Sequence, residues 1–263
     1  MIAAVRSELL KIRTLSVGWS TAAGIAVVTL LALAFWYLVL ANQTTSDYLD
    51  DSPGDVKEGV FTAGQYFGLL LTMIFGITMV TSEHAHQTIT ATFLATPKRS
   101  RVVLAKITAG LVFAFAFFAI STVLAVGVGS AMLTSLGVPL GAGLPTGLGA
   151  VALNGLAYPV WVIFGVGLGT MIRNQVFAVV AAVVLYLGEL GSALIFPQLA
   201  SALDQKWIGS LQYYLPGGAS RAMTSLVHVD GVPVWWLAAL VLLAYGAVTT
   251  AYGTLVTAAR DVS

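Results

Sequence analysis

The sequence predicts an all-α, polytopic membrane protein with six transmembrane helices, and three observations lead there. Hydrophobic residues fill 58% of the 263 positions and charged residues only 9%, whereas an ordinary soluble domain carries about 25% charged residues. Mean hydropathy is +0.92. The few charges are clustered, and the long apolar stretches between them approach or exceed the roughly 20 residues that a helix needs to cross a hydrocarbon core. A transmembrane barrel would need shorter segments of alternating polarity, and none is present.

The whole chain, 1–263, reads as a single transmembrane domain. In residues 1–16, Ile2, Val5, Leu9 and Ile12 recur at helical spacing, while Arg6, Ser7, Glu8, Lys11 and Arg13 cover much of the rest. This predicts an amphipathic helix lying in the headgroup region; the alternative is a basic flank that only orients the first span. That span, 17–41, is too long for a secretory signal and is followed by five more. Residues 42–58 carry Asp47, Asp50, Asp51, Asp55 and Glu58 against Lys57 and predict an outside loop. The second span covers 60–82. A polar segment with Glu83, His84, His86, Lys98, Arg99, Arg101 and Lys106 leads into the third, 103–133, long enough to tilt or to project into water. In the fourth, 146–172, Pro159 predicts a kink, and Gly165, Gly167 and Gly169 predict a close helix approach. The fifth, 176–196, follows the turn Arg173-Asn174-Gln175. A mixed segment precedes the sixth span, 234–258.

Six spans place both termini on one side. The segments on that side hold Arg6, Lys11, Arg13, Lys98, Arg99, Arg101, Lys106, Arg173 and Arg260, leaving Lys57, Lys206 and Arg221 on the other. The positive-inside rule then predicts that both termini are cytoplasmic.

Motifs for chemistry on this chain are scarce. Cysteine is absent, which excludes disulfides and thiolate metal sites. No Gly-x-x-x-x-Gly-Lys-Ser/Thr run is present, so no P-loop nucleotide site is expected. His84 and His86 stand at i and i+2, which point to different helix faces, so no metal is expected. Glu189 is a carboxylate inside a predicted span and is a functional candidate on that ground alone. The competing reading is a helix break at Gly188-Glu189-Leu190-Gly191, with Glu189 facing external water. No basic partner for it is visible within the spans.

The segment Met79–Lys106 is the most informative. Ile89, Phe93 and Leu94 form an apolar ridge at helical spacing. The ridge is tied at both ends to transmembrane helices, which suits it to dock a soluble partner. Pro97 then breaks the chain before a basic cluster.

Here the sequence resembles the ABC-2 family of transporter permeases, in particular the bacterial antibiotic and peptide exporters. The family's pattern of Glu, then Gly-Thr-Ile, then Pro-x-x-Arg and a Lys opening the third span is similar to Glu83, Thr88-Ile89, Pro97, Arg101 and Lys106, with Gln87 in place of the Gly. Ser7-Glu8-Leu9-Leu10-Lys11-Ile12-Arg13 resembles the family's cytoplasmic elbow helix, which places Glu8, Lys11 and Arg13 there. Tyr214-Leu215-Pro216-Gly217-Gly218-Ala219 is similar to the segment that opens its short external helices. The resemblance implies a cytoplasmic coupling helix between spans two and three. It also implies two permease subunits, identical or homologous, and two copies of a separate cytoplasmic ATPase subunit holding ATP and Mg²⁺. No cofactor and no catalytic residue is then expected on this chain. Pro216 and Glu189 become candidates for an external gate. A bacterial inner-membrane exporter of a hydrophobic or amphipathic antibiotic, peptide or lipid is the expectation, with antibiotic resistance as one outcome and nucleic acid not a partner. The alternatives are a non-transporting membrane scaffold or sensor, and a secondary transporter. The latter should show paired intramembrane charges or matching broken helices.

Overall fold

The computed structural model describes residues 2–42, 53–88, 99–225 and 231–259, and the regular elements among them are all helices, joined by turns, without strands. The helices are α1 (Ile2–Thr14), α2 (Ser16–Asn42), α3 (Pro53–Phe61), α4 (Gln65–Ala85), α5 (Arg99–Ser135), α6 (Leu144–Met171), α7 (Gln175–Ala202), α8 (Lys206–Ser210), α9 (Pro216–Thr224) and α10 (Trp235–Ala259), with a 3-10 turn at Leu211–Tyr214. Six segments are long and apolar enough to cross a membrane: α2, α3 with α4, α5, α6, α7 and α10. The protein is therefore a multi-pass membrane protein.

α4 and α6 form the buried centre, and α2, α5, α7 and α10 surround them with outward faces rich in Leu, Val and Phe. Small residues make the central contact possible. A Cβ at Gly76 would meet the Val162 carbonyl oxygen at 2.6 Å, and one at Gly165 would meet the Met73 carbonyl oxygen. The backbones of α4 and α6 thus touch directly, as small residues allow in lipid. Gly169 continues this seam against Ile77 and Val80, and Gly167 turns instead toward Thr249 and Thr250 of α10. The span-four glycines serve packing within one subunit.

Several expectations change. Residues 53–58 of the predicted outside loop form the first part of α3, which runs on into the predicted second span, and its Val56, Val60 and Phe61 pack against Leu33, Leu40 and Leu133. Their spacing is helical, but the count of acidic residues masks it. Lys57 is buried there, and its Nζ donates to the Pro139 carbonyl at 3.0 Å. Asp47, Asp50 and Asp51 lie outside the described residues. α7 continues through both Gly188–Gly191 and Pro197, past the predicted end of the fifth span at 196. The helix break proposed around Glu189 is therefore absent. A proline inside a helix forfeits one hydrogen bond, a loss that packed neighbours compensate in membrane bundles.

Candidate functional site

Two polar constellations stand out in this apolar bundle, one at each end. The first lies at the end that carries α1. α1 turns Glu8 and Ile12 inward at i and i+4, and its predicted apolar ridge departs from the periodicity because Ile2 is exposed. Glu8, expected on the polar face, is buried. The reason is electrostatic: Glu8 Oε2 lies 2.9 Å from Lys106 Nζ, and Glu8 Oε1 lies 2.8 Å from Lys11 Nζ. Glu83 Oε1 closes the ring, at 2.7 Å from Lys11 and 2.8 Å from Lys106. Lys106 also donates to the Met79 carbonyl at 3.0 Å. Two carboxylates and two ammonium groups alternate, so the cluster is neutral as a whole. Glu8, Glu83 and Lys106 are buried, whereas Lys11 keeps 38% of its side chain exposed. Burial of Lys11 disfavours its charge, but hydrogen bonds and attraction from Glu8 and Glu83 outweigh that and raise its pKa above the usual lysine value.

The ring joins three elements: the middle of α1, the last turn of α4 and the second turn of α5. A cavity of about 960 Å³ adjoins it, with walls that include Ser7, Leu15, Val17, Ser82, His86 and Val102.

The chain leaves α4 in a defined way. Thr88 N–H donates to the Glu83 carbonyl at 2.9 Å and Gln87 N–H to the His84 carbonyl at 3.2 Å. Gln87 has φ +56°. These are the paired bonds and left-handed residue of a Schellman helix stop. The conformation is one that glycine adopts without steric cost, which accounts for the glycine of the resembled pattern at this position. Glu83 is thus held twice, by its side chain in the ring and by its carbonyl in the stop. Ile89, Phe93, Leu94 and Pro97 lie outside the described residues. Arg101 and Arg13 are exposed and remain apart from the ring.

Sequence reasoning placed Glu8 and Lys11 in one group and Glu83 in another, and it gave Lys106 no site role. A signal was present. Lys106 lies inside the predicted third span, where an ionisable residue is costly unless paired.

The second constellation lies at the opposite end. Glu189 is buried on α7, and its Oε1 lies 3.1 Å from Nε of Arg221 on α9. Sequence inspection found no basic partner because Arg221 belongs to no span. Apart from Arg221, the residues of α9 are buried. Pro216 occupies its first turn, where a missing N–H costs nothing. Gly217 rests on Glu189, since a Cβ there would meet the Glu189 Cβ and Oε2 at 2.6 Å, and Gly218 sits against the Gln212 carbonyl. Three further hydrogen bonds complete the surroundings. Trp161 Nε1 donates to Ser220 Oγ at 2.9 Å, Gln65 Nε2 to Thr224 Oγ1 at 2.9 Å, and Tyr186 OH to the Tyr66 carbonyl at 2.5 Å. These partners are 59 to 159 residues apart, and nothing local in the sequence signals them.

Among the described residues no group of three His, Cys, Asp or Glu side chains could hold a metal ion. Comparison with curated proteins gives no match. The family model described as ABC-2 family transporter protein matches residues 4–189, which include every member of the four-charge ring and end on Glu189. The match covers most of the chain and agrees with its six membrane-spanning helices, so the protein belongs to the ABC-2 family and is a membrane permease of an ABC transporter.

Proposed function

We propose that this chain exports a hydrophobic or amphipathic compound, such as an antibiotic, a peptide or a lipid, from the bacterial cytoplasm. Two permease subunits and two copies of a cytoplasmic ABC ATPase would form the working complex. α1 and both termini face the cytoplasm, and the segment after Thr88 is the coupling element that docks in the ATPase. The ATPase holds ATP and Mg²⁺, and this chain contributes no catalytic group. The family implies the ATPase partner, and export, stoichiometry and orientation are parts of the proposal.

The observation that supports it best is the ring of Glu8, Lys11, Glu83 and Lys106. It pins both helices that bound residues 86–98, α4 through Glu83 and α5 through Lys106. A displacement of the docked segment is therefore passed to two spans and to α1 together rather than absorbed in a flexible linker. At the opposite end, the buried α9 and the Glu189–Arg221 pair suit a gate that must open for release, with Pro216 and Gly217 at its base.

The test is the pair of substitutions Phe93→Asp and Leu94→Asp. Each apolar side chain of this size contributes roughly 1.5–3 kcal/mol when buried, and a buried unpaired carboxylate costs more. The double variant should reach normal levels in the membrane yet lose its ATPase on purification and cease export. Parental retention of the ATPase together with parental export would remove residues 89–98 from the coupling role. Reporter fusions at Ser263 and within Asp47–Asp55 test the orientation; external activity at Ser263 would reverse it.

A further inference from the structure

We propose that the groove between the end of α4 and the start of α7 binds an anionic phospholipid, with Arg173 holding the headgroup phosphate. The groove has a volume of about 800 Å³, and its walls include His84, Arg173, Gln175, Val176, Val179 and Val180. Its polarity is graded. Arg173, in the turn between α6 and α7, and Gln175 form a polar rim, and His84 stands on the α4 side. Val176, Val179 and Val180 continue along α7 toward the bilayer interior. Val176 and Val180 are 70% and 53% exposed, so this wall is open to a lipid chain.

Charge complementarity selects the occupant. Among the described residues Arg173 forms no ion pair, whereas Lys11 and Lys106 at the same end of the bundle are neutralised by Glu8 and Glu83. His84 has its Nδ1 3.3 Å from the Val80 carbonyl oxygen and forms no ion pair either. The groove therefore presents an uncompensated guanidinium directly above an apolar wall, at the level where two spans end. A guanidinium fork matches two phosphate oxygens in a bidentate, charge-assisted contact. Basic pockets between spans at the membrane interface are where anionic headgroups bind. A soluble anion would satisfy Arg173 but leave the valines exposed to water, and a neutral lipid would cover the valines but leave Arg173 without a counter-charge. An anionic phospholipid does both. The assignment rests on the membrane-spanning bundle alone and is independent of export and of ATPase coupling.

Native mass spectrometry of the full chain in neutral detergent tests it, with phosphatidylglycerol, phosphatidylcholine and inorganic phosphate as probes. The parent should retain one phosphatidylglycerol in preference to phosphatidylcholine, and inorganic phosphate at equal concentration should not displace it. Arg173→Gln should weaken retention about tenfold or more, the scale of a lost charge-assisted hydrogen bond, and Arg173→Lys should weaken it less. Val180→Trp fills the apolar wall at an exposed position and leaves the charge in place. It should also lower retention, which keeps the assignment testable if Arg173→Gln fails to fold. Unchanged retention in Arg173→Gln or in both variants, equal retention of phosphatidylcholine, or displacement by inorganic phosphate would each overturn the assignment. So would a variant that loses a second copy of the chain or the ATPase while its lipid retention is unchanged, since the groove would then be a protein interface.

Discussion

Replacing Lys106 by Met removes the buried cation of the four-charge ring while keeping a side chain of similar length. Lys106 lies 2.9 Å from Glu8, 2.8 Å from Glu83 and 3.0 Å from the Met79 carbonyl, with 3% of its side chain exposed. Without it, two buried carboxylates share Lys11 alone, and the cluster changes from neutral to a net charge of −1. Breaking a buried ion pair by removing one partner costs about 3–5 kcal/mol, because the remaining charge stays buried without compensation. Glu8 and Glu83 keep one short contact each to Lys11, so the lower part of that range, about 3 kcal/mol, is expected. Glu8→Gln in the same chain restores neutrality, leaving Glu83 opposite Lys11. The double variant should therefore be more stable than Lys106→Met by at least about 1 kcal/mol, a coupling expected only between groups in contact. Reversible unfolding in mixed micelles measures both quantities. A loss below about 1 kcal/mol for Lys106→Met, or strict additivity with Glu8→Gln, would refute the argument that the ring holds α1, α4 and α5 together.

Three other outcomes follow from the same physics. Lys11 has a raised pKa in the folded protein, so its contribution is complete below the unfolded lysine value and is lost as pH rises through the folded one. The Lys11 contribution should be full and independent of pH around neutrality, stability should fall above pH 10.5, and Lys11→Met should remove that alkaline step from the stability profile. At the opposite end Glu189 is the buried partner and Arg221 the half-exposed one, so Arg221→Ala, which leaves a buried carboxylate unpaired, should lower the melting temperature more than the neutral Glu189→Gln. The reverse order would mean that Glu189 reaches water in the working state. Gln87 holds φ +56°, a conformation costing a side-chain-bearing residue roughly 1–2 kcal/mol; Gln87→Gly should stabilise the protein by roughly 0.5–1 kcal/mol after its greater unfolded-state freedom is counted, and a loss of stability would show that the Gln side chain contributes contacts there.

Much of the architecture follows from sequence-local quantities. A span is defined by the length of an apolar run against bilayer thickness, so α2, α5, α6 and α10 start and end within a few residues of where the apolar runs place them. The resemblance of residues 214–219 to a segment that opens short helices implied one here, and α9 begins at Pro216, a residue favoured at the first helical position. What the sequence could not resolve was which polar residues meet. Glu8 looked like one of several charges on a solvated face, and only the approach of Lys106, 98 positions away, accounts for its burial. α3 was hidden because composition reports average polarity, whereas a helix buries only one face. Glu189 had no visible partner because Arg221 lies 32 positions further along, on a helix outside every span. Pairing of this kind depends on how α7 and α9 pack, through Gly217 against the Glu189 side chain. Chain sequence thus determined what enters the membrane, since transfer free energy sums along each segment. Tertiary structure decided where the charges left inside find their partners, because a buried charge is stabilised only by a group brought to it from elsewhere in the fold.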